Sequence, residues 1–241
     1  MKSLEKLSSA FCSAWDMMID IPLPGRRDET YSDYSDSFLT AAMIPVVGMV
    51  PGIILCALGV LVVKSVAACA VWAVFAVLVS ELVNSGRGVK LMAEHLAKAI
   101  YKESYGTFVN TLVMFIMLFK LAAFFCLAYN LGAKFALLIF VLIFTFEMYG
   151  VTFPERNAML ELDEHEKKMA YVIPAAAAFV YFWRFPVLTL VSIAAVWGII
   201  MILRRKVWSD SHKVTADEIT LFAEYTEVVL LFLVIIFQGA I

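Results

Sequence analysis

Six long apolar stretches, at about 38–63, 65–83, 107–129, 133–151, 170–203 and 219–240, dominate the chain and leave little between them. A helix needs roughly 20 apolar residues to cross the hydrocarbon core of a bilayer, and each stretch comes to about that length or exceeds it. Composition agrees. Of the 241 residues 63% are apolar or aromatic and only 17% charged, and the mean hydropathy is +0.87. Soluble domains run near half apolar and a quarter charged, so the polar side chains here are too few to clothe a surface facing water. A soluble enzyme, a disordered chain and a disulfide framework are excluded. The expected fold is all-α: a polytopic transmembrane helix bundle in one domain over 1–241. Within it, 1–37 is a cytoplasmic N-terminal segment and 38–240 the bundle.

The fifth stretch is too long for one span of ordinary tilt. Trp183-Arg184-Phe185-Pro186 interrupts it, a charge meeting a helix-breaking proline. It reads as two short helices, which brings the count to about seven spans; a single bent span is the alternative. The basic residues test that count. Fifteen of the nineteen Lys and Arg fall in 1–37, 84–106, 152–169 and 204–218. Short loops rich in Lys and Arg face the cytoplasm, and seven spans put all four segments on one side. The expectation is a multi-pass protein of the cell inner membrane, N-terminus cytoplasmic and C-terminus outside. The first 37 residues lack a signal-peptide pattern, so the first apolar run would itself insert the chain.

Residues 88–103 set Leu91, His95, Leu96, Ala99 and Ile100 along one helical face. That predicts an amphipathic helix at the cytoplasmic interface, with His95 packed rather than ligating. His165 lies in an acidic run that reads as a solvated face, and His212 in a polar loop. The four cysteines are scattered, have no zinc or redox spacing, and read as small hydrophobes. No nucleophile elbow, Walker A or GxGxxG pattern is present.

Carboxylates inside the apolar runs are the informative residues, because an ionisable group in a spanning helix is costly and marks function by default. Glu81 and Asn84 share a face at the end of the second run, Glu147 lies near the end of the fourth, and Glu224 and Glu227 share a face of the last helix. Thr215-Ala216-Asp217-Glu218 has the form of a capping box, Thr215 being the N-cap. At 1.5 Å per residue, Glu224 and Glu227 then lie about 13 and 18 Å into the helix, with Asp217 at its mouth. Two carboxylates on one stripe form either a proton-sharing or salt-bridged structural pair, or one wall of a cavity or metal site.

Several spaced motifs carry a family resemblance. Ile19-Asp20-Ile21-Pro22-Leu23-Pro24 is followed by Ile44-Pro45-Val46-Val47-Gly48 and then by Ile100-Tyr101-Lys102-Glu103-Ser104-Tyr105-Gly106-Thr107-Phe108. Thr215-Ala216-Asp217 through Glu224 and Glu227 completes the series. In this order and spacing the chain resembles the membrane-embedded cobalamin synthase family, adenosylcobinamide-GDP ribazoletransferase. The family carries H-x-D-G-x-x-D-x-x-D-G at the end of the second span, and here the three aspartates fall on Val77, Glu81 and Asn84. Ala216, Thr220 and Leu221 stand where its C-terminal motif has small residues. The resemblance implies a transferase that joins adenosylcobinamide-GDP to α-ribazole (or its phosphate) and releases GMP. It implies catalytic roles for Asp217, Glu224 and Glu227, and substrate binding by Glu103, Gly106, Arg156 and Thr215. Magnesium would be held by Glu81 and Asn84. Implied partners are the corrinoid nucleotide, α-ribazole and the lipid bilayer, with no nucleic acid polymer, and with a second copy or an intact family paralogue alongside. The alternatives are a non-catalytic corrinoid-binding or partner subunit, and a proton-coupled transporter using Glu224 and Glu227.

Overall fold

A computed structural model describes residues 2–19, 21, 37–83, 86–100, 106–133, 135–152, 162–163, 166, 186–206 and 215–237. The described residues form α1 (Lys2–Met18), α2 (Ser37–Val62), α3 (Val66–Val83), α4 (Gly88–Ile100), α5 (Gly106–Asn130), α6 (Phe135–Thr152), α7 (Pro186–Lys206) and α8 (Ala216–Phe237). No strand occurs among them. Among the described residues three helices are long and apolar enough to cross a membrane, namely α2, α3 and α5. The seven-span expectation is met only to that extent. Pro186 does begin a helix, as the interruption of the fifth stretch required. The first half of that stretch, 170–185, lies outside the described residues.

Along α5 the outer face is apolar, and the buried face, apolar for the most part, carries one charge. Met114, Phe115 and Leu118 are exposed while Lys120 is fully buried. In α3 Val71, Val74, Phe75, Leu78 and Leu82 likewise face outward and Ser80 inward. Such exposed apolar faces suit lipid, where the hydrophobic effect does not drive them inward. α6 is different: Leu142 to Met148 are all buried, so it is enclosed on every side. It sits between α2 and α8, and α8 also packs against α4, α5 and α7.

Proline and glycine shape the contacts. α2 contains Pro45 and Pro51, tolerated in a spanning helix where neighbours re-satisfy the backbone. The Trp72 indole N–H donates to Leu55 O at 2.9 Å and ties α3 to α2. α3 and α5 close the same way. Gly86 and Gly132 adopt φ of +66° and +88°, and their N–H groups reach back to Glu81 O and Leu127 O. Left-handed glycine is the usual way to satisfy last-turn carbonyls.

Two regions depart from the sequence reading. The N-terminal segment contains a full helix, α1, whose Ala10, Ala14 and Met18 are buried and which packs on α2. These buried residues recur every fourth position, the spacing of one helical face. In α4 the inward face is Val89, Met92, Ala93 and Ala97, whereas Ala99 and Ile100 are exposed. Of the expected face Leu91, His95 and Leu96 are half-buried and pack at the edge of this inward face, and only its end, Ala99 and Ile100, turns outward. α4 packs against both α5 and α8.

Candidate functional site

A single lysine organises the bundle interior. Lys120 stands in α5, and its Nζ lies 2.6 Å from Glu81 Oε1, 3.1 Å from Glu224 Oε1 and 3.1 Å from Glu227 Oε2. An ammonium has three N–H donors and no more, so each goes to a different carboxylate and none is left over. Ser80 Oγ donates to the Glu227 carboxylate, 2.6 and 2.7 Å from its two oxygens. Lys120, Glu224, Glu227 and Ser80 are all buried, and Glu81 is only 13% exposed. The glutamates come from two helices. Glu81 ends α3, and the three-residue step from Glu224 to Glu227 turns both toward one side of α8.

Formal charge is unbalanced: three carboxylates face one ammonium. Glu147, buried on α6, adds a fourth and is repelled by Glu224 and Glu227. Ion pairs out of water are favourable only when their geometry is excellent and the remaining lone pairs are satisfied. Among the described residues Glu224 Oε2 is buried with no hydrogen-bond partner. The cluster therefore has acceptor capacity to spare, which a proton would satisfy.

No protein-family model, curated protein or solved structure matches this chain. Its site is accordingly read from geometry alone.

Of the residues singled out from sequence, Glu81, Glu224 and Glu227 are brought together. Asp217 is not with them: it is exposed and pairs with Arg87 at 3.8 Å. Thr215 is the N-cap and works as the capping box predicts. Its N–H donates to Glu218 Oε2 at 2.8 Å, and Glu218 N–H donates to Thr215 Oγ1 at 3.3 Å. Gly106 is the first residue of α5, and Val77 is buried apolar packing. Asn84, Glu103, Arg156, His165 and His212 lie outside the described residues. His95 shares a 2.8 Å hydrogen bond with the Tyr225 hydroxyl, linking α4 to the helix that carries the two buried glutamates. Sequence reasoning passed over Lys120 and Ser80. Lys120 was findable as the sole charge within the 25 residues of α5, which by the rule applied to the glutamates marks a buried partner.

Proposed function

We propose that the chain is a membrane-embedded transferase of the cobalamin synthase type, joining adenosylcobinamide-GDP to α-ribazole or its phosphate and releasing GMP. One observation carries this reading. The acid that ends the second apolar run, Glu81, and the two acids of the C-terminal motif meet at one Lys120 nitrogen. The C-terminal stretch is one of the motifs on which the resemblance rests, and Glu81 stands where the family's second-span motif, otherwise replaced here by Val77 and Asn84, has its middle aspartate. A preorganised charged centre in a water-poor interior is the setting in which charge developing during transfer is stabilised most strongly. Glu224 Oε2 has no hydrogen-bond partner among the described residues and is the acceptor for the proton that the attacking ribazole hydroxyl must lose. Asp217, exposed beside Arg87 at the start of α8, lies where a substrate enters. Glu103, Gly106, Arg156 and Thr215 retain the substrate-binding roles the resemblance implies.

The topology of this reading is about seven spans with a cytoplasmic N-terminus in the cell inner membrane, α4 lying toward the cytoplasmic face. The concentration of Lys and Arg in four segments supports it. Magnesium, which the resemblance implies, is given no step. Of the two residues that would hold it, Glu81 has its Oε1 engaged by Lys120, and Asn84 lies outside the described residues. The test is a membrane assay with adenosylcobinamide-GDP and α-ribazole phosphate. The expected result is joined product and GMP, both lost in Glu224→Gln at unchanged protein yield. Absence of product from well-folded protein overturns the reading.

A second reading has its own observation. Glu224 is fully buried, which suits a proton-coupled carrier better than an open vestibule for a bulky corrinoid. Proteoliposome uptake that follows an imposed pH gradient, in protein that forms no product, would favour it.

A further inference from the structure

Mg²⁺ requires near-octahedral oxygens at about 2.0–2.1 Å and retains several waters. The carboxylate oxygens of Glu81, Glu224 and Glu227 are instead gathered about an ammonium nitrogen at 2.6 to 3.1 Å. A divalent cation among them would meet that fixed positive charge at close range. Among the described residues no group of three His, Cys, Asp or Glu is disposed to hold a metal ion. The disagreement with the implied magnesium has a specific physical source.

We propose that Lys120 is a tethered counter-cation, occupying in covalent form the place an exchangeable metal would take, so that these carboxylates bind no divalent cation while its ammonium is present. Three features give the lysine that role. Its three donors are matched one to one with three carboxylates from α3 and α8, the arrangement a cation imposes on its ligands. It is fully buried, so its charge is neither screened nor shared with solvent. Glu224 Oε2, also fully buried, has no partner among the described residues, so the oxygens outnumber what the ammonium can satisfy. A cation of higher charge could use the surplus. The ammonium cannot dissociate, so the interior keeps one positive charge at any metal concentration. The inference does not depend on the transferase reading, since it concerns only what the carboxylates hold.

The test uses the full-length chain in detergent with Mn²⁺ alone as probe, free ion being read by electron paramagnetic resonance. Wild type and Lys120→Arg should show no saturable site, and their thermal unfolding should not respond to Mn²⁺ or to a chelator. Lys120→Ala should gain one Mn²⁺ per chain, and Glu224→Gln in that background should weaken it by about tenfold, the scale of a lost partner at a metal site. A folded Lys120→Ala that binds no Mn²⁺ overturns the proposal. If Lys120→Ala does not fold, the wild-type arm decides. Saturable wild-type binding that Glu227→Gln removes overturns the proposal, and its absence together with a chelator-insensitive unfolding curve supports it.

Discussion

Where α2 meets α6, the helices come together by leaving side chains out. A Cβ added to Gly52 would lie 2.8 Å from Leu137 Cα, and one added to Gly48, a turn earlier, would run into the Phe144 ring. Where α3 and α8 meet α5, the helices come together through charge, one lysine holding three glutamates. The first contact is a small-xxx-small surface that gains van der Waals contact, the main attraction available between helices already in an apolar solvent. It tolerates any partner of complementary shape. The second demands particular partners, because Lys120 placed against any other helix would leave a buried charge unpaired. Packing therefore supplies proximity and the polar cluster supplies identity, and the chain keeps the two on different faces of the bundle.

The largest effect should come from removing the one cation. Lys120→Met keeps most of the side-chain volume but strands three buried carboxylates. Breaking a buried pair by deleting one partner costs about 3–5 kcal/mol. Thermal or denaturant unfolding in detergent should show a loss of that size. A loss below about 1 kcal/mol, the range of exposed pairs, would mean that the cluster does not hold α3, α5 and α8 together. Next is the apolar contact. Gly52→Leu forces a side chain against the Leu137 backbone, which cannot turn aside as a flexible side chain can. Overpacking of this kind costs about 1–3 kcal/mol, and unchanged stability would show that α2 and α6 are not so closely packed.

The same contrast explains what could be read from sequence. The apolar runs give helix positions to within a few residues, because hydropathy over about 20 residues needs no knowledge of partners. The Thr215 cap was legible too, since all its atoms lie within four residues. Glu224 and Glu227 declared an inward face by spacing alone. What covers that face was not legible: Lys120 lies 104 and 107 residues from them and 39 from Glu81. A lone lysine in an apolar run also reads as one able to snorkel to the interface. The inward face of α4 was misread for a related reason. Which of its residues go deepest is set by the packing of α5 and α8, and the helix's own pattern does not reveal that these are Val89, Met92, Ala93 and Ala97.

Thr215→Ala sharpens the comparison at a local contact. It removes the hydroxyl that accepts from Glu218 N–H, and such caps are worth about 1 kcal/mol. The expected loss is of that order, smaller than at either helix interface, with the Lys120 cluster intact. A loss as large as that of Lys120→Met would mean that the start of α8 positions the buried glutamates rather than merely capping the helix.

Arg87→Ala should have the smallest effect and isolates burial from charge. Arg87 and Asp217 are also oppositely charged, but at 3.8 Å with side chains 54% and 64% exposed, against the fully buried ammonium of Lys120. Water and salt reach both ions, so the attraction between these two adds about 0–1 kcal/mol, and raising the ionic strength should erase even that. The expected unfolding curve overlays the wild type in high salt and departs from it slightly, if at all, in low salt. A salt-insensitive loss of several kcal/mol would show that this pair is shielded in the bilayer-embedded protein. The division between a structural charge cluster inside and a dispensable ion pair at the mouth of α8 would then have to be redrawn, because Asp217 would belong with Glu224 and Glu227 in one continuous buried site.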